Sequence, residues 1–249
     1  ADVAVVVVGG SSARDFKPTY KETGAAVADK NSISDMEAGE GFDRASLSLL
    51  GLQNDLLEAV KKTGTPMVVV YIEGRPLDKR WASENADALL TQFYPGQQGG
   101  LAVSEIITGK VSPSGRLPIS IEKNFSDNPV SESYYENVDR IRTKNINPYS
   151  RVEYREGLFM GYRGYQKNGV EPLFPFGFGL SYTTFEYSNL KCDKTIFGSD
   201  DELVFTVDVK NTGSMTGKEA VLLYSRDLVA SVVPDNRRLR AFDKIELQP

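Results

Sequence analysis

The residues best suited to chemistry are four acids crowded into SDMEAGEGFDR at 34–44: Asp35, Glu37, Glu40 and Asp43, followed directly by Arg44. Gly39 and Gly41 flank Glu40, so its backbone can enter turns that a Cβ would forbid. Neighbouring acids raise one another's pKa and an adjacent guanidinium lowers it. Such a balance can hold one carboxyl protonated near neutral pH, ready to act as a general acid. The competing reading is a solvated acidic loop whose Asp43 or Ser46 caps the helix that follows.

What the chain lacks narrows the chemistry further. It contains no histidine, which removes the commonest general base and metal ligand, and with it Ser/His or Cys/His pairs. Its single cysteine, Cys192, can form neither an internal disulfide nor a thiolate cluster, and no metal or other cofactor is expected. With 34 acidic against 29 basic residues the net charge is -5, which gives no attraction to nucleic acid. No apolar run approaches the roughly 20 residues of a membrane span, so membrane insertion is not expected either. Gly9-Gly10-Ser11 lacks the order of a dinucleotide-binding fingerprint, and there is no G-x-S-x-G elbow for a serine hydrolase. Arg14 and Asp15, on the same stretch as the acids, are candidates for substrate contact, with plain surface charge as the alternative. Trp81 and the tyrosines at 134, 135, 149, 154, 162 and 165 can stack on sugar faces or pack between domains.

The elements that must position these residues are legible as periodicity. The Val run at 3–8 and MVVVYI at 67–72 read as strands covered on both faces, the habit of parallel sheets. Between them Leu49, Leu52, Leu56 and Val60 recur at helical spacing, and Gly64 marks the stop. This is a βαβ unit whose acidic loop departs from the carboxyl end of its first strand, the edge where open α/β sheets meet ligands. Residues 86–94 suit strand or helix about equally, 99–109 predicts a helix and RLPIS at 116–120 a short strand. From about 121 to 183 the chain is an aromatic, Gly- and Pro-rich connector. Period-two patterning over FEYSNLKC, ELVFTVDVKN, KEAVLLYSR and RAFDKIEL then predicts a β-sandwich. Too few strands are present to complete either layer, so the chain is expected to be part of a larger polypeptide.

The stretches ADVAVVVVGG (1–10), GEGFDR (39–44), GRPL (74–77), YPGQQGG (94–100), GKVSPSGRLPIS (109–120), YREGLFMGYR (154–163) and PLFPFGFGLSYTTFEY (172–187) resemble the C-terminal portion of glycoside hydrolase family 3. That is the β-glucosidase and β-xylosidase family. The resemblance implies a fold that is α/β: a partial, mostly parallel α/β sandwich at 1–120, the connector at 121–183, and an incomplete all-β, fibronectin type III-like sandwich at 184–249. It also implies a nucleophilic Asp on an N-terminal (β/α)8-like barrel, in the same polypeptide or a separate chain, and an acid/base Glu on a loop of the sandwich. On the EGxDR pattern that role falls on Glu40, with Glu37 as runner-up. Asp43 and Arg44 orient the loop, and Arg14 and Asp15 stand on it. The implied partner is an oligosaccharide or β-glucoside, and the implied location is periplasmic or secreted. A non-catalytic carbohydrate-binding or structural module is the alternative, and a β-xylosidase a second.

Overall fold

The computed structural model describes residues 1–11, 19–20, 22–23, 26–27, 46–134 and 153–249. They divide into two compact units, one of residues 1–99 with 123–125, the other of 100–122 with 126–249.

The first unit is built on the βαβ pattern. Strand β1 (Ala4–Gly9) pairs in parallel with the later strand Met67–Glu73, Ala4 standing opposite Met67 and Gly9 opposite Ile72. Within residues 12–45, Thr19–Tyr20 (β2) pairs antiparallel with Ala26–Val27 (β3). Helix α1 (Gln53–Lys62) follows, then β4 (Met67–Glu73), α2 (Arg80–Asn85) and β5 (Ala88–Phe93). The sheet order is β1-β4-β5, all parallel. Helix α1 ends where Gly64 takes a positive φ of 73°, and Lys61 and Lys62 occupy its last turn, where cations suit the helix dipole. The evenly balanced segment 86–94 is thus a strand. Asp87 sets its entry by exchanging two bonds with Met67: its carboxylate accepts from Met67 N at 2.8 Å and its amide donates to Met67 O at 2.9 Å.

The core gathers Val6, Val8, Leu49, Leu57, Met67, Val69, Tyr71, Leu77 and Ala82. Two expectations are corrected here. Strand β4 is buried on both faces, whereas β1, first in the sheet order among the described residues, is covered on one face only: Val6 and Val8 are buried, while Val3, Val5 and Val7 are about half exposed. The inward stripe of α1 is also one residue out of step with the leucines. Leu57 is fully buried, Leu52 and Leu56 are exposed, and Leu49 packs from the segment before the helix. The helix begins only at Gln53, and it is the Gln53–Leu57–Val60 row that turns toward the sheet.

In the second unit, α3 (Gly99–Ile107) fulfils the helix expected there, its first residue belonging to the other unit. RLPIS is not a strand. Pro118 has no amide to donate, and the segment pairs piecemeal with 174–178: Leu117 N donates to Phe178 O at 2.9 Å, and Ile121 forms an antiparallel bridge with Phe174. A 3-10 turn (Phe125–Asp127), its first residue again belonging to the other unit, α4 (Ser131–Tyr134) and α5 (Tyr162–Asn168) follow. Then come two antiparallel pairs, β6 (Phe185–Cys192) with β7 (Phe205–Asn211), and β8 (Gly217–Ser225) with β9 (Arg238–Leu247). All four period-two segments are therefore strands. Arg116 Nη2 meets Glu219 Oε2 at 2.6 Å, and Tyr187 donates to the other oxygen of Glu219 at 2.8 Å.

Candidate active-site edge of the parallel sheet

The carboxyl end of β1 is where the acid-rich segment departs. Gly9 adopts φ +154°, and a Cβ built there would lie 1.8 Å from the carbonyl oxygen of Ile72 on β4, so only glycine fits. Gly10 N donates to that same oxygen at 3.1 Å, continuing the sheet one residue past the strand. Ser11 is the last described residue before the segment, and Ser46 the first after it.

On the outer side of Gly9 the backbone is held by a side chain. Gly9 N donates to Gln53 Oε1 at 2.8 Å, and Gln53 Nε2 donates back to Gly9 O at 3.0 Å and to Leu50 O at 3.1 Å. A primary amide offers a donor and an acceptor side by side, so Gln53 satisfies both polar groups of Gly9 on the side of β1 where no strand pairs with it among the described residues. Together with Leu50 and Ile72 these groups line an open cleft of about 300 Å³ at the sheet edge.

A buried ion pair closes the far end of β4. Lys79 Nζ lies 2.6 and 2.7 Å from the two oxygens of Glu73 and also donates to Leu77 O at 3.2 Å, while Leu77 N donates to Glu73 Oε2 at 2.9 Å. Both side chains are 1% exposed. The ammonium also stands 4.6 Å from the centroid of the Tyr71 ring, close enough for cation–π attraction. Burial, reinforced by the negative charges of Asp78 and Glu73, pushes the Tyr71 phenol well above its ordinary pKa, so it stays a neutral donor to Asp78 O at 3.1 Å. Asp78 N in turn donates to Leu47 O at 2.7 Å, joining this turn to the strip of chain that returns from the acidic segment.

Glu40, Glu37, Asp43, Arg44, Arg14 and Asp15 lie outside the described residues. Those that periodicity did not flag, Gln53, Glu73 and Lys79, frame the two ends of the segment that carries them. Among the described residues no three His, Cys, Asp or Glu side chains gather as a metal site. Of the aromatic candidates, Trp81 packs against the core. Tyr165 is buried, with its hydroxyl 3.4 Å from Glu122, and Tyr162 stacks on Phe176 at 5.0 Å. A cavity of about 280 Å³ lies beside these two tyrosines. Its Arg237 is already engaged, 4.7 Å over the Tyr224 ring and bonded to the Gln166 amide oxygen.

Comparison with known proteins gives these features a family. Residues 1–182 match the model of the glycosyl hydrolase family 3 C-terminal domain. A thermostable β-glucosidase B from Acetivibrio thermocellus is 39% identical over 217 residues, covering 87% of this chain and 27% of that protein. A β-xylosidase from Formosa agariphila is 40% identical over 211 residues, 85% of this chain and 27% of the relative. A periplasmic β-glucosidase from Salmonella typhimurium is 35% identical over 212 residues, 85% and 26% of the two chains. The crystal structure of a β-glucosidase from Kluyveromyces marxianus in complex with glucose superposes with a TM-score of 0.76 at 32% identity, over 99% of this chain and 25% of that one. The chain thus spans about a quarter of the length of these relatives. The expected resemblance holds, and the chain belongs to glycosyl hydrolase family 3 as a match to its C-terminal domain.

Proposed function

We propose that this chain is the acid/base-bearing C-terminal part of a retaining exo-β-glycosidase that removes terminal non-reducing β-D-glucosyl residues. The observation that carries the reading is the sheet edge itself. The EGFDR-bearing segment leaves and re-enters the fold at the carboxyl ends of parallel strands, between Gly9 and Leu47, in a chain whose family is one of glycoside hydrolases. The division at 1–120, 121–183 and 184–249 belongs to the same proposal, with the last segment a fibronectin type III-like sandwich.

In this reaction Glu40 protonates the glycosidic oxygen while an Asp on a barrel outside this chain attacks the anomeric carbon. The C–O bond to the leaving group breaks as the glycosyl–Asp bond forms. Glu40, now ionised, takes a proton from the water that cleaves that ester, and the β configuration is retained. The two carboxyl groups must stand about 5–5.5 Å apart across the scissile bond. Glu37 is the next candidate for the donor; Asp43, Arg44, Arg14 and Asp15 orient the loop or touch substrate. Neither step requires a metal or a histidine, which suits a chain without His. The Salmonella relative supports a periplasmic or secreted location. The Formosa relative supports β-xylosidase activity as the second reading.

The test is to assay the 249-residue chain alone and assembled with its barrel on an aryl β-glucoside and an aryl β-xyloside. The proposal expects turnover only in the assembly, with retention and with glucoside preferred. Robust turnover by the chain alone contradicts it.

A further inference from the structure

We infer that the cavity beside α5 is a sugar-binding site with room for one neutral pyranose ring. All of its lining residues belong to the second unit. The inference uses the family of the chain and makes no use of the acid/base assignment.

The cavity, of about 280 Å³, is held open by bonds among three separate stretches of chain. Phe176 N donates to Ser120 Oγ at 3.1 Å, Leu239 N donates to Tyr162 Oη at 3.0 Å, and Val170 N donates to Tyr165 O at 3.0 Å. Gly169 turns the chain from α5 to Val170 at a φ of 65°. Val170, Pro172 and Pro175, with Tyr162 and Phe176 stacked at 5.0 Å, supply an apolar wall. Only a few polar groups face it, which is the composition of a small-molecule site. Such sites begin at about 300 Å³, so this one suits a single ring.

Arg237 is the group that selects the ligand. Its guanidinium lies 4.7 Å from the centroid of the Tyr224 ring and donates through Nε and Nη2, at 2.7 and 3.1 Å, to the Gln166 amide oxygen. A guanidinium carries five N–H donors, so the contacts that fix its plane leave three of them uncommitted among the described residues. Ser120 Oγ accepts from Phe176 N and keeps its own proton to donate, and Glu171 brings a carboxylate to the exposed rim. An anionic ligand drawn to Arg237 meets repulsion from Glu171, and a cation drawn to Glu171 meets Arg237. Donors beside an acceptor, set against an apolar wall, match an uncharged ring with C–H faces and a girdle of hydroxyls. A free monosaccharide or the end residue of a glycoside has that chemistry.

The test is a titration of the full chain with methyl β-D-glucopyranoside, followed by the side-chain NMR signals of Val170, Gln166 and Arg237. Saturable shifts at these groups are expected. Arg237→Met, which keeps an apolar stem over Tyr224 but loses the donors, should weaken binding by about tenfold or more. Val170→Trp, which fills the cavity and leaves the polar groups in place, should abolish it; if that variant does not fold, Arg237→Met decides. Glucuronate titrated in parallel separates a sugar site from an anion site. Tighter binding of glucuronate than of the glucoside, lost in Arg237→Met, overturns the inference. So does the absence of shifts at the three groups, or an unchanged affinity in Arg237→Met. The readout is binding and not turnover, so this inference and the acid/base reading fail separately.

Discussion

Lys79 and Glu73 form a two-point ion pair, Nζ standing 2.6 and 2.7 Å from the carboxylate oxygens, in a pocket where neither side chain is more than 1% exposed. The pair begins at the last residue of β4 and folds the Gly74–Asp78 turn back over Tyr71, so a polar group at the core replaces what would otherwise be a loose connection to α2. Its stability consequence depends on what is left behind when it is broken.

Lys79→Met should destabilise the chain by about 3–5 kcal/mol, because Glu73 is left buried without the cation that offsets its charge. Glu73→Gln combined with Lys79→Met should lose less than the single change, since the glutamine oxygen still accepts from Leu77 N and no charge remains. Urea unfolding midpoints of the three chains measure this. A double variant no better than Lys79→Met would show that the charge is not what matters.

Gly9→Ala should cost more than Gly64→Ala. Both have positive φ, but a Cβ at Gly64 meets open space, whereas at Gly9 it runs into Ile72 O at 1.8 Å. The conformational penalty alone is about 1–2 kcal/mol, expected at position 64. At position 9 the β1–β4 pairing must also yield. Thermal denaturation of the two variants side by side is sufficient, and equal shifts in Tm would contradict the close approach.

Four phenols, Tyr71, Tyr165, Tyr187 and Tyr224, are pushed above their ordinary value of 10, in each case chiefly by burial. Glu219 adds to the shift at Tyr187 and Glu122 at Tyr165. Because the folded phenols hold their protons longer than the unfolded ones, the unfolded state binds fewer protons above pH 10. Stability should therefore be insensitive to these groups below pH 10 and fall as pH rises from there toward the folded values. In a spectrophotometric titration the buried Tyr71 and Tyr165 should ionise only together with unfolding. Reversible ionisation of every tyrosine near pH 10 in the folded chain would refute the shifts.

The two Val-rich runs mark β1 and β4, because short runs of β-branched residues suit strands, and the helical stretch between them points to their parallel pairing; Gly64 marks the end of α1. Period-two alternation after Thr184 found all four C-terminal strands. Residues 86–94 could not be resolved, since ADALLTQFY carries no periodicity that separates strand from helix; the pairing with β4 decides it. RLPIS misled because its apolar alternation ignores that Pro118 removes a donor from any ladder. Gln53, Glu73 and Lys79 escaped notice for one reason: polar residues beside a helix start or a Gly-Pro turn read as solvated surface, and only tertiary contact shows that they are bonded inward. The acidic cluster is legible as chemistry only through its composition and its family resemblance, with its six candidate residues outside the described part of the fold.

The central claim is that the carboxyl group at position 40 donates the proton, and azide tests it most directly. In the assembled enzyme, Glu40→Ala should lose about 100-fold or more of its rate on an alkyl β-glucoside, and added azide should restore turnover of an activated aryl glucoside by forming the β-glucosyl azide. Glu37→Ala should hydrolyse both and make none of that product. If instead Glu40→Ala keeps its rate while Glu37→Ala yields the azide, the donor is Glu37; if neither variant yields it, the chain does not supply the acid/base group.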